Sequence, residues 1–178
     1  MLYGDTTDGQ KTAVQAGREY KVADQPTKAI QMFDRALNLS GPRGRHPALY
    51  EKTAVCVSAG MRDEALQTIR RAMIEFPGSQ TVVDVMDFKG QVEHLSPAQV
   101  ESLKTREREA AGLLAEAEGR LPFKKNVDMS KERQAGLALA RRIETDYADT
   151  SAAFAALAVE GEALHLLGQF DAAYEAYS

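Results

Sequence analysis

One cysteine, three histidines and no large excess of either charge are all that this chain of 178 residues offers to conventional site chemistry. Cys56 has no partner for an intramolecular disulfide, so stability must come from packing, and the residue reads as a small buried hydrophobe. His46, His94 and His165 stand in separate segments, with no HExxH, no CxxC and no recurring spacing to carboxylates, so no metal site is expected. Phosphate-cradling GxxxxGK[ST] and GxGxxG loops and the GxSxG nucleophile elbow are missing too, which points to a noncatalytic protein without a cofactor. The 22 Lys and Arg residues against 26 Asp and Glu leave a net charge of -4 scattered along the chain, unlike a nucleic-acid footprint. No apolar run approaches the length of about 18 residues that a membrane span needs. The opening "MLYGDTTDGQ" lacks the basic-then-apolar pattern of a secretory signal, which favours the cytoplasm, although a periplasmic or exported chain with its signal removed would look the same.

What the chain does have is helical periodicity. Hydrophobic residues make up 44% of it, enough for a core, and they recur at spacings of three and four rather than alternating as in strands. Ala13, Ala16, Gly17 and Tyr20 share one face of a first helix; Pro26 suits the start of a second, whose face is Ala29, Phe33, Ala36 and Leu37. The same order of residue types returns at Gly60, Ala65, Ile69, Ala72 and Pro77, and again at Gly161, Leu164, Gly168, Phe170, Ala173 and Tyr177. Gly17 to Ala29 is 12 residues, as is Gly161 to Ala173, and in all three units an alanine is followed four residues later by a bulky group: Phe33, Ile69 or Tyr177. Small residues admit close helix approach, and the bulky residue fills the space between turns.

At these residues, about 90 in three units, the chain resembles the tetratricopeptide repeat (TPR) family, a helix-turn-helix unit of about 34 residues with Leu-Gly-x-x-Tyr in its first helix and Ala-x-x-x-Phe in its second. Two departures stand out: Lys52-Thr53 replaces Leu-Gly in the second unit, and Glu160 precedes Gly161 in the last, so these charged residues either snorkel from a packing face or mark a change of register. The resemblance implies an all-α, antiparallel helix-hairpin solenoid, a TPR-like superhelix.

The middle departs from the pattern. Ala65 to Ala173 is 108 residues, room for two degenerate repeats. Ser96-Pro97-Ala98-Gln99 reads as a capping box opening a long helix to about Gly119, and further helices are expected at about 80 to 94, 130 to 146, 151 to 167 and from 170 onward. With two helices in each of the first two units the total is nine, an odd number, which suggests a break in the superhelix near residues 80 to 130. The resulting organisation is a flexible stretch over 1–10, two repeats over 11–78, an irregular segment over 79–129, and repeat-like helices over 130–178 with the last repeat incomplete. "GRLPFKKNVDMS" is expected to be a protease-sensitive connection, "GPRGRH" a glycine-rich loop with solvated charges, and "KTREREA" a solvated helix face. Val100, Leu103, Ala110, Leu114 and Ala117 form the apolar stripe of that long helix. The final helix is expected to run past Ser178, its apolar face of Phe170, Ala173 and Tyr177 otherwise fraying or covering itself by self-association.

In such an array the first helix of each pair lines the concave side. That places Lys11, Val14, Arg18 and Lys21 on the first helix, Tyr50, Ala54 and Val57 in the second unit, and Ala155, Ala158, Glu162 and His165 in the last as candidate partner-binding residues. Some TPR domains clamp a C-terminal carboxylate with Lys and Asn; Val14, Arg18, Tyr50 and Ala54 stand where those would, so that specificity is not carried over. The expected function is a scaffold that binds a protein or peptide segment bearing acidic and apolar groups, in complex assembly or localisation; the alternative is a helical recruitment or regulatory region of a larger enzyme or signalling protein.

Overall fold

The computed structural model describes residues 7–39, 45–122 and 128–178. Nine α-helices and no strands occur among the described residues: α1 (Thr7–Val22), α2 (Pro26–Asn38), α3 (Arg45–Ser58), α4 (Arg62–Glu75), α5 (Gln80–Glu93), α6 (Pro97–Gly119), α7 (Ser130–Asp146), α8 (Ser151–Leu166) and α9 (Phe170–Tyr177). The helix starts follow from local chemistry. Pro26 occupies the first turn of α2, where its missing N–H costs nothing. Ser96 and Gln99 close the expected capping box: the Ser96 N–H donates to Gln99 Oε1 at 2.8 Å, and the Gln99 N–H to Ser96 Oγ at 3.4 Å. The turns of the three hairpins share one backbone device. Asp24, Gly60 and Gly168 stand at equivalent positions with φ of 54°, 70° and 76°, a left-handed conformation that glycine adopts freely and Asp tolerates.

The chain divides into two compact units, one comprising residues 1–75 and 80–101, the other 76–79 and 102–178. In the first, successive helices pack side by side, and α3 also packs against α1 and α5, so the first helices of the hairpins are neighbours. This is the solenoid-like arrangement of an all-α hairpin stack. Its core holds Phe33, Leu37, Leu49, Ile69, Val82 and Met86, all essentially inaccessible. Gly17 faces the Phe33 ring so closely that a Cβ there would lie 2.5 Å from it, the close approach that the alanine-plus-four spacing implies.

In the second unit α8 packs between α7 and α9, and a core runs from Ala110, Leu114 and Ala117 of α6 through Leu137, Ala140 and Ile143 to Ala156, Leu164 and Ala173. Gly161 repeats the role of Gly17: a Cβ would come within 2.5 Å of the Tyr177 ring.

Several sequence expectations need correction. Residues 7–10 belong to α1 rather than to a flexible stretch, and Gln10 is fully buried, its Nε2 donating to the Leu39 carbonyl at 2.9 Å; residues 1–6 lie outside the described part. Arg45 and His46 are not loop charges but the start of α3. Arg45 donates to the Leu37 carbonyl and pairs with Glu75 at 3.3 Å, and His46 Nδ1 lies 2.6 Å from Thr81 Oγ1. The rest of that loop, 40–44, and the 123–127 stretch with its two lysines lie outside the described residues. "KTREREA" is not a purely solvated face. Glu107 is 3% exposed and accepts from the Ser151 N–H at 2.9 and 3.1 Å and from Ser151 Oγ at 2.8 Å, while Arg106 binds Asp149 and the Asp146 carbonyl.

Candidate partner-binding surface

The face formed by α1, α3 and α5 in the first unit carries most of the residues singled out above. Arg18 Nε donates to Glu51 Oε1 at 2.8 Å and Lys21 Nζ to Glu51 Oε2 at 3.0 Å, across the α1–α3 contact. Burial pushes the Glu51 carboxyl up, but the hydrogen bonds and charges of Lys21 and Arg18 outweigh it and hold the group below its ordinary range. Two cations thus share one carboxylate, and both side chains keep over 40% of their surface exposed. One α-helical residue earlier on α3, Tyr50 is 41% exposed, its ring 5.2 Å from that of Phe88 on α5. Lys11 is exposed and lies at the edge of ion-pair distance from Asp8.

Val14 does not belong to this surface. It is only 5% exposed, part of the core, because the 3-4-3 spacing that groups it with Lys11, Arg18 and Lys21 runs along the boundary of the packed face. Ala54 and Val57 are half-buried, and Val57 packs against the cluster of Cys56, Ala65 and Val92. Ala158, Glu162 and His165 of α8 form an exposed stripe in the second unit; Ala155 beside them is half-buried, and His165 packs edge-on against Phe170 at 5.3 Å. Glu51 and Phe88 were not anticipated. Glu51 follows a candidate residue directly, but only the α1–α3 contact reveals that it neutralises half of the basic patch.

The charged departures from the repeat pattern have two outcomes. Lys52 is 7% exposed, with Nζ 2.8 Å from Asp34 Oδ1 and 2.5 Å from Glu64 Oε1; burial lowers its basicity, and the two hydrogen-bonded carboxylates more than restore it. Glu160, at the corresponding position, pairs with Arg141 at 2.8 Å and also meets Glu144. Burial, then the hydrogen bond and charge of Glu160, pushes the Glu144 carboxyl up to about 7, against the pull of Arg141.

Chemistry elsewhere is sparse. Burial pushes the Cys56 thiol up to about 11, so it remains protonated and unreactive near neutrality. Among the described residues no group of three His, Cys, Asp or Glu side chains could hold a metal ion, and no helix is long and apolar enough to cross a membrane. No protein-family model, curated protein or solved structure matches the chain.

Proposed function

We propose that the protein is a TPR-like, noncatalytic scaffold that binds a protein or peptide segment on the α1–α3–α5 face of its first unit, in the assembly or localisation of a larger complex. The observation that carries this reading is the pairing of Arg18 and Lys21 with a single carboxylate, that of Glu51, while the preceding residue of α3, Tyr50, is exposed and meets Phe88. The patch keeps a net positive charge, held in place by Glu51, next to an accessible aromatic. A segment offering a carboxylate and an apolar side chain would satisfy both.

Affinity capture from the source organism tests it, with Arg18→Ala/Lys21→Ala and Tyr50→Ala as the informative variants. A partner of this face should bind the double variant about tenfold or more weakly, and its binding to the wild type should weaken in high salt. Undiminished capture of the same partner by all variants, each with an unchanged helical circular-dichroism spectrum, would move the binding site elsewhere.

A further inference from the structure

The stripe of Tyr50, Ala54 and Val57 on α3 leads into a cleft at the end of that helix. Val57, Gly60, Arg62, Gln91, Val92 and His94, from the ends of α3 and α5 and the start of α4, line a cavity of about 180 Å³. All six belong to the first unit and lie in the interior of the chain. The two valines give the cleft apolar surface, Val92 buried and Val57 half-buried. Arg62, Gln91 and His94 are exposed, and none of these three side chains has an ion pair or a hydrogen bond among the described residues.

Two basic side chains thus share the cleft with no carboxylate in its lining. The acids nearby in sequence are accounted for. Glu64 pairs with Lys52 and Glu93 with Lys89 at 3.0 Å, while Asp63, exposed in the first turn of α4, lies outside the lining. Neither cation is used in capping a helix. At the end of α3 the N–H groups of Ala59, Gly60 and Met61 take the carbonyls of Val55, Val57 and Cys56, and at the end of α5 the Leu95 N–H takes that of Gly90. His94 also holds a φ of 57°, the left-handed conformation that Gly60 adopts at the end of α3 with no side chain to strain. A glycine would end α5 with less strain, so helix termination alone does not call for an imidazole here.

Charge and surface together select the occupant. An aliphatic side chain displaces water from the valines, and a carboxylate next to it meets the uncommitted donors of Arg62 and His94. A basic residue would meet like charge and no partner. We infer that the cleft is an anchoring pocket for the segment bound on the α1–α3–α5 face, taking one aliphatic side chain of that segment, with an adjacent Asp or Glu held by Arg62 and His94. The inference rests on the reading that this face binds a peptide and adds a second anchor to it. Val57 lies seven residues beyond Tyr50, about 10 Å along α3, a distance that an extended segment covers in about three residues.

Titration of the isotope-labelled protein with N-acetyl-leucyl-glutamyl amide, followed by the NMR shifts of its backbone amides, tests it; the glutaminyl and lysyl counterparts are the controls. The glutamyl dipeptide should move the signals of Val57, Gly60, Arg62 and Gln91 to His94 saturably, and the two counterparts should bind about threefold or more weakly. Arg62→Gln and His94→Gly should each weaken the glutamyl dipeptide by about threefold or more, His94→Gly with an unchanged or higher melting temperature because it relieves the left-handed backbone. Shifts that are absent, that fall outside the cleft or that are equal for the glutamyl and lysyl forms overturn the inference, as does binding that survives both substitutions. Arg18→Ala/Lys21→Ala should bind the dipeptide as the wild type does. A partner captured through Arg18 and Lys21 but indifferent to Arg62→Gln overturns the cleft and leaves the face standing, whereas capture that needs Arg62 and not Arg18 or Lys21 supports the cleft and fails the face.

Discussion

Single residues in this protein carry weight where a helix approach leaves no room for a side chain. Gly17 and Gly161 lie under aromatic rings from the second helix of their hairpins, so a larger residue must displace a ring that is itself packed. Gly17→Leu gains about 1 kcal/mol of helix propensity but overpacks the Phe33 contact, and should be destabilising on balance by roughly 1–3 kcal/mol in urea denaturation. Arg18→Ala, one position on, should shift stability by less than about 0.5 kcal/mol, since Lys21 still holds Glu51 and the pair is solvent-screened. Equal midpoints for the two variants would mean that the packing and exposed faces of α1 are wrongly assigned. The buried Lys52 illustrates the converse. A charge at a packing position survives because two carboxylates from neighbouring helices reach it.

At the scale of the element, the start of α8 shows how a helix end is satisfied from far away in sequence. Thr150 stands where an N-cap is expected, yet its hydroxyl donates to the Tyr147 carbonyl at 2.7 Å and makes no cap bond. Glu107, 44 residues upstream on α6, takes the Ser151 N–H and hydroxyl instead, and Ser151 Oγ in turn accepts the Gly78 N–H at 2.9 Å. The carboxylate also opposes the positive end of the α8 dipole in a buried setting. Removing it leaves buried donors unpaired, so Glu107→Ala should cost about 2–4 kcal/mol, whereas Glu118→Ala, at an exposed position of the same helix, should cost under about 0.5 kcal/mol. Thermal or urea unfolding followed by circular dichroism would measure both. A cost for Glu107→Ala no larger than that for Glu118→Ala would show that α8 does not depend on this tertiary cap.

For the whole molecule, the Glu144–Glu160 pair makes stability depend on pH in an unusual direction. An unfolded chain releases the Glu144 proton near the ordinary 4.5, while the folded protein holds it to about 7, so between those values the folded state binds more protons. The stabilising contribution is therefore complete below about 4.5 and is lost as pH rises through about 7. Glu144 is only partly shielded, so the loss amounts to on the order of 1 kcal/mol. Glu144→Gln should remove that slope and melt higher than the wild type at pH 8, a comparison that differential scanning calorimetry makes directly. Parallel stability profiles for the two proteins between pH 4.5 and pH 7 would dismiss the coupling. Glu51 acts in the opposite sense, its depressed carboxyl losing its contribution as pH falls below the ordinary range, so the two effects occupy different pH windows.

The sequence by itself determined the helices, because their signals are local. Apolar spacing, Pro26, the Ser96–Gln99 box and the glycine turns each act within a few residues, and the observed ends of α5 to α8 and the start of α9 fall within a residue or two of those read from them. It also determined two close packing pairs, Gly17 with Phe33 and Gly161 with Tyr177, since a small residue and a bulky one at fixed separation are what a close helix crossing requires. What only the tertiary structure decided is which charges are partnered and which apolar residues are covered. Val14 sinks into the core by a small rotation of the face, Glu51 takes up Arg18 and Lys21, Glu107 caps a helix 44 residues away, and Tyr174 stays exposed where Ile30 and Leu66 are half-buried. Each of these depends on a neighbour distant in sequence, and burial and pairing are properties of the assembled surface rather than of any local pattern.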